Sequence, residues 1–251
     1  MSITGSPGGM PSRVGVAISD TASGMFLTQG VLAALFARER TGKGQWVYTS
    51  LLETMINMLD FQAARWLIDG EIPRPAGNHH PSVSPFGTFE TADGHINIGA
   101  LDFPLFCNQV GLSRLLSDPR FRDGPARLAH RDELTKEIEA VLKTKTSDEW
   151  IRSMGALIPC GPINRIDQVF ADEQVQHLKV TQAVEHPTLG SVRVLRYPVT
   201  FSDMNCDVTC GVTVPGAQSR QVLEELGYGE DQIDRFIAEK IVATSNVADG
   251  W

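Results

Sequence analysis

The densest apolar stretch of the sequence lies between Thr21 and Arg40, where Met25, Phe26, Leu27, Val31, Leu32, Leu35 and Phe36 fall on all sides of a 3.6-residue repeat. That pattern predicts a helix buried on most of its surface. Ahead of it, Val14 to Ile18 is a short apolar run with the character of a buried strand, preceded by a Gly-, Pro- and Ser-rich opening from Met1 to Arg13. Gly42-Lys43-Gly44 stops the helix. Gln45 to Thr49 then supplies a β-prone run, and Leu51 to Ile68 a second helix that is apolar around most of its circumference. Strand, helix, strand, helix is the alternation of an α/β unit with a mostly parallel sheet.

The pattern changes after Gly70. Pro73, Pro75, Gly77, Pro81 and Pro85 impose a long irregular connection, and a domain boundary is expected there. Phe86 to Ile98 reads as a hairpin turning at Ala92-Asp93-Gly94. Helical spacing follows over Phe103 to Val110, Arg131 to Leu142 and Ser147 to Met154, the last opening with acidic residues suited to a helix N-terminus. Ile158 to Pro162 reads as a turn, Ile166 to Phe170 as the start of a helix, and Ser191 to Tyr197 as an alternating strand. Two helices, about Ala217 to Leu226 and Asp231 to Ile237, precede a frayed tail from Ala243 to Trp251.

Composition narrows the functional classes. A net charge of -8 argues against nucleic acid or an anionic membrane surface as partner. No apolar run reaches the roughly 20 residues of a membrane span, and the first residues lack the basic and apolar regions of a signal peptide, so a cytoplasmic protein is expected. Four cysteines in 251 residues make a sparse set, read as reduced thiols. Cys206 and Cys210 are closely spaced, but no second pair or nearby histidine completes a zinc set, and no metal is expected. Cys160, between prolines and without an adjacent base, is read as buried rather than reactive, and Lys43 lies in a turn that lacks the spacing of a phosphate-binding loop.

Asp20 is the residue with candidate chemistry. It follows an apolar strand-like run and opens a helix, where free backbone N–H groups and the helix dipole favour an ionised carboxylate. Position alone favours an ordinary N-cap, although Ala22 and Gly24 leave room for a ligand to approach.

The segments V-G-V-A-I-S-D-T-A-S-G-M, V-L-A-A-L-F-A-R-E-R-T-G-K-G-Q-W-V and S-L-L-E-T resemble the region around the nucleophilic aspartate of class III CoA-transferases, the family of formyl-CoA transferase and carnitine CoA-transferase. G-N-H-H-P-S-V-S-P-F-G-T-F-E-T-A-D-G, I-P-C-G-P-I-N-R-I-D-Q-V-F-A-D and V-L-E-E-L-G-Y-G-E-D-Q-I-D-R-F follow in the family's order, so the resemblance runs from Ser2 to about Val242.

The resemblance implies an α/β fold, with residues 1–75 as the rear part of an incomplete Rossmann-like large domain, 76–190 as a small α+β domain, and 191–251 as a return strand and C-terminal helices packing on the large domain. Met1 matches an internal position of the family, so the front portion, which binds much of the CoA nucleotide, is expected to lie outside this sequence. The implied activity is acyl-CoA:carboxylate CoA transfer with Asp20 as nucleophile, an acyl-CoA and a small carboxylic acid as substrates, and no permanently bound cofactor. Gly77, Asn78, His79 and His80 match a family loop near the domain junction and are candidate substrate contacts. An α-methylacyl-CoA racemase shares the fold and places an aspartate here, but the Gly-rich run of its pattern is replaced by Thr21-Ala22-Ser23-Gly24. A homodimer is implied for an intact family member. The other possibility is a subunit or truncated product that needs a separately encoded N-terminal half, whose signature would be exposed apolar surface on the Val14–Ile68 region.

Overall fold

The computed structural model describes residues 1–186, 189–209, 211 and 214–244. Cys210 and most of the predicted tail, residues 245–251, lie outside the described residues. The chain is a mixed helix and sheet structure of the expected α/β class, and it divides into two compact units, Met1–Ile163 and Asn164 onward.

In the first unit the hydrophobic core is built on a three-stranded sheet: β1 (Phe86–Glu90), β2 (His95–Gly99) and β3 (Cys160–Pro162), in that order and antiparallel throughout. Alternation selects its buried face. Phe89 of β1 and Ile96 and Ile98 of β2 point inward, while His95 and Asn97 point out. The predicted hairpin turn lies between β1 and β2, closed by the Thr91 N–H to the Gly94 carbonyl at 2.9 Å. Ile158 to Pro162, predicted as a turn, instead delivers β3: Ile96, Asn97 and Ile98 already present a free edge, and Cys160 to Pro162 pairs with it.

Three predicted helices close this core at the expected bounds: α4 (Phe103–Val110), α6 (Arg131–Leu142) and α7 (Ser147–Met154), with a shorter α5 (Gly124–Ala129) between the first two. The starts of α4 and α7 have local causes. Asp102 accepts from the Leu105 N–H at 2.9 Å to cap α4, and Thr146 and Glu149 form a reciprocal capping box on α7. Phe106, Leu134, Ile138, Leu142 and Met154 are buried among Phe89, Ile96 and Ile98.

The N-terminal part departs from the sequence reading. Val14 and Val16 are exposed, and the stretch from Val14 to Ala17 is irregular; the helix α1 (Ile18–Thr41) takes in Ile18. Gln45 to Thr49 is likewise not a strand, although Val47 lies against Gly30 of α1, where a Cβ would sit 2.9 Å from its Cγ1. Both runs have strand-like side chains, but no strand among the described residues offers them hydrogen bonds, and a strand exists only as one member of a ladder. The parallel sheet is therefore absent among the described residues. The second helix is divided into α2 (Leu51–Asn57) and α3 (Phe61–Asp69), because Asp60 between them takes a positive φ of 50°. Predicted to be buried on most sides, α1 buries only Ala22 among its residues, and Leu32 and Phe36 are 60% and 67% exposed.

The second unit contains α8 (Ile166–Ala171), α9 (Glu173–His177), the antiparallel pair β4 (Thr181–His186) and β5 (Gly190–Leu195), then α10 (Ser219–Glu225) and α11 (Glu230–Ala238). These match the predicted helix from Ile166, the strand from Ser191 and the two closing helices to within a few residues.

Candidate active site

Asp20 is the third residue of α1, not its N-cap; Ala17 occupies the cap position without a side-chain hydrogen bond. In the first turn the carboxylate still lies beside the helix's free N–H groups, which favour negative charge. Its side chain is exposed, and Ser19 Oγ donates to Oδ2 at 3.1 Å. One carboxylate oxygen is thus engaged, and the other makes no hydrogen bond among the described residues. Ser23 Oγ, one helical turn on, is buried and likewise unpartnered.

The Gly77–His80 loop is built from a different set of contacts. The Gly77 N–H donates to the Gly5 carbonyl at 3.0 Å, so the Gly-Pro-Ser opening of the chain packs on the loop. Gly77 has φ +63°, and a Cβ there would come within 3.2 Å of Pro7. The Thr88 N–H donates to the Asn78 carbonyl and the His80 N–H to the Phe86 carbonyl, at 3.2 and 2.8 Å, which ties the loop to β1. His80 stacks on Phe61 of α3 with centroids 5.4 Å apart and tilts against Phe86 at 5.3 Å. Two arginines complete the support: Arg131 Nη2 reaches the His80 and Pro81 carbonyls at 2.8 and 3.2 Å, and Arg127 Nε the Ser84 carbonyl at 2.9 Å. The sequence reading missed both arginines, because the signal lies in backbone carbonyls 43 and 51 residues away, and also Gly87, whose need for a bare Cα comes from the approach of Asn78 and His79.

A cavity of about 640 Å³ opens beside the loop, lined among others by Ser6, His79, Glu90, His95, Asp132 and Glu139. Burial holds His79 below the usual histidine range, Arg131 adds to that, and Glu139 and Asp132 oppose it. Glu90 is ion-paired with Lys143, and Glu139 accepts the Glu90 N–H at 3.1 Å. Glu90, Asp132 and Glu139 bring negative charge to this cavity, and Gly77 and Asn78 of the loop line it as well. No hydrogen bond, ion pair or ring contact among the described residues joins Asp20 to Gly77, Asn78, His79 or His80.

Cys107 and Cys160 are unsuited to nucleophilic chemistry. Burial pushes the Cys107 thiol up to about 11 and raises that of Cys160 as well. Among the described residues no group of three or more His, Cys, Asp or Glu is arranged to hold a metal ion, and no helix is long and apolar enough to cross a membrane.

Residues 1–215 match the family model described as CoA-transferase family III. An acyl-CoA transferase of Fusarium pseudograminearum (strain CS3096) is 32% identical over 246 residues, covering 96% of this chain and 54% of the relative. The succinyl-CoA:glutarate CoA-transferase of Mus musculus is 32% identical over 247 residues, covering 96% and 57%. Among solved structures, a CAIB/BAIF family protein from Brucella suis superposes with a TM-score of 0.73 at 30% identity, over 90% of this chain and 60% of that one. The chain spans a little over half the length of the relatives it matches.

Proposed function

Because this chain belongs to CoA-transferase family III, we propose that it carries the nucleophile and small domain of an acyl-CoA:carboxylate CoA-transferase, with Asp20 as the nucleophile. The observation that supports this most directly is an exposed carboxylate in the first turn of α1, steadied on one oxygen by Ser19 and free on the other, at the position where the sequence resembles the family's aspartate.

Each step is an acyl exchange between oxygen and sulfur. The free Asp20 oxygen attacks the thioester carbonyl of the donor, the C–S bond breaks, and a mixed anhydride and CoA thiolate result. The thiolate attacks the aspartyl carbonyl, releasing the donor acid as its carboxylate and leaving an aspartyl-CoA thioester. An acceptor carboxylate attacks that thioester to give a second anhydride and free the thiolate again. Attack of the thiolate on the acceptor's carbonyl forms the new acyl-CoA and regenerates Asp20. Electrons and charge balance at every step without net proton transfer. Backbone N–H groups in the first turn of α1 are suited to the oxyanion that develops next to Asp20.

Acceptors are read as small carboxylic acids, with dicarboxylates such as glutarate favoured by the relatives' names. Gly77, Asn78 and His80 are the proposed substrate-contacting part of the junction loop, together with His79 through its main chain. Apolar residues exposed along α1, α2 and α3 support an active form in which this face is covered, by a second copy of the chain or by a separately encoded N-terminal half.

The experiment is chemical. The purified chain, alone and with an N-terminal half from a family member, is incubated with a panel of acyl-CoAs, trapped with hydroxylamine or borohydride, and mapped by mass spectrometry. Modification confined to Asp20 and lost in Asp20→Ala is the expected result; labelling that persists in Asp20→Ala would refute the assignment.

A further inference from the structure

We infer that Arg131 is a positioning residue that sets the orientation of His80 in the junction loop, with Arg127 bracing the same loop further along. This rests on the reading of that loop as a substrate contact. Arg131 is the first residue of α6, a helix anchored in the core through Leu134, Ile138 and Leu142. From that fixed base its Nη2 donates to two successive carbonyls, those of His80 at 2.8 Å and Pro81 at 3.2 Å. Arg127 donates to the Ser84 carbonyl at 2.9 Å and the Phe121 carbonyl at 3.3 Å, and its guanidinium lies 4.5 Å over the Phe103 ring.

Neither guanidinium forms an ion pair among the described residues, and the Arg131 Nε is buried with no hydrogen-bond partner. Burial works against both charges, lowering the pKa of each arginine from its ordinary value. Asp123 near Arg127 and Asp132 near Arg131 only partly offset that, and a half-buried cation without an ion pair is a poor way to add stability. What it supplies is geometry, because a charged planar donor grips carbonyl oxygens more tightly than a neutral one.

The beneficiary is His80. Its N–H is bound by Phe86, its carbonyl by Arg131, and its ring by Phe61 and Phe86. Ring Nδ1 accepts from the Ser82 N–H at 3.2 Å, which leaves Nε2 as the ring's N–H donor. His80 is thereby a hydrogen-bond donor of fixed direction, suited to a carbonyl or carboxylate oxygen of the substrate.

Two measurements test this. Hydrogen exchange and imidazole ¹⁵N spectra are recorded on the chain itself with Arg131→Gln and Arg131→Lys, and the Asp20 labelling assay is run on the same variants and on His80→Ala. In Arg131→Gln the His80 and Ser82 amides should exchange about tenfold faster, the worth of one charge-assisted hydrogen bond, and the Nε2–H signature should blur while core amides stay protected. Arg131→Lys should lie between the two and carries the test if glutamine unfolds the core. The acyl-CoA concentration for half-maximal labelling should rise roughly tenfold in Arg131→Gln and His80→Ala alike, with the plateau unchanged. Unaltered exchange and tautomer in both arginine variants would overturn the proposal. A loosened loop with unaltered labelling in all three variants would support the hold of Arg131 on His80 and instead overturn the substrate reading of the loop.

Discussion

A Cβ at position 87 would lie 2.4 Å from the carbonyl oxygen of Asn78, and 2.6 Å from Nδ1 of His79. Gly87 is the second residue of β1, buried at φ +153°, and it pairs across an isolated bridge with His79. The Gly77–His80 loop can approach the sheet this closely only because position 87 has no side chain. Gly87→Ala meets both a steric and a conformational penalty, of about 1–3 kcal/mol. The expected outcome is a lowered urea midpoint for the first unit and faster exchange of the Thr88 amide, whose partner is the Asn78 carbonyl.

Trp150 tests the other side of the core. It is 3% exposed on α7, and its indole N–H donates to the Leu142 carbonyl at the end of α6 at 2.8 Å. Lys145 lies 4.4 Å over its ring. Trp150→Phe keeps most of the apolar volume but leaves that carbonyl with the longer Lys145 N–H bond at 3.3 Å alone, a loss of about 0.5–1.5 kcal/mol in chemical denaturation. Trp150→Ala adds a cavity and should cost about 3–5 kcal/mol.

How much of this was legible in the sequence depended on where each residue finds its partners. The helices α4, α6 and α7 and the β1–β2 hairpin carry their own instructions: Asp102 and Thr146 as caps, Gly94 in the turn, Ile96 and Ile98 on one face of the strand. Those were readable. Val14–Ile18 and Gln45–Thr49 have the right side chains for strands, but a strand is settled by a neighbour that sequence pattern does not locate. For Asp20, sequence gave its place near a helix start, yet not whether it caps the helix or stands within the first turn. Arg127 and Arg131 were invisible for a related reason, since nothing local marks an arginine that serves a distant main-chain carbonyl.

The pH dependence of the first unit should follow His79. Burial and Arg131 lower its pKa in the folded chain, with Asp132 and Glu139 opposing, and Glu90 and His95 lining the same cavity. A folded pKa below the unfolded value of about 6.5 means the unfolded state binds the proton more readily. Its contribution to stability is therefore fully present above pH ~6.5 and is lost as pH falls through the lower folded value. Urea midpoints should fall on acidification across this window, and His79→Gln should flatten that part of the profile. Imidazole NMR should place the His79 midpoint below that of the unfolded chain.

Asp20 separates chemistry from stability. Its side chain is exposed and its one side-chain hydrogen bond among the described residues is to the adjacent Ser19, so Asp20→Asn removes only a favourable charge at the start of α1, about 0.3–1 kcal/mol. Thermal unfolding should move little. Transfer activity in the reconstituted enzyme should fall roughly a thousandfold or more, because the amide supplies no nucleophilic oxygen for the anhydride. Parallel losses of activity and stability would instead mark Asp20 as a structural residue.

The apolar face of α1 decides how the chain exists in solution. Leu32 and Phe36 lie four residues apart, hence on one side of the helix, at 60% and 67% exposure, and Trp46 and Tyr48 expose further aromatic surface in the segment that follows. Exposed apolar surface of this kind favours association. With no ion pair or buried hydrogen bond at stake among the described residues, and only the exposed Arg40 guanidinium 5.6 Å over the Phe36 ring, Leu32→Glu and Phe36→Glu should leave the fold intact, since surface changes of this type are worth within about 0.5 kcal/mol. Light scattering of the unaltered chain should then show association that rises with concentration, and the double variant should reduce it. Where an N-terminal half restores Asp20 labelling, the same double variant should abolish the restoration, because two carboxylates would have to be desolvated to form the contact. Labelling restored equally in the variant would place the contact elsewhere on the chain.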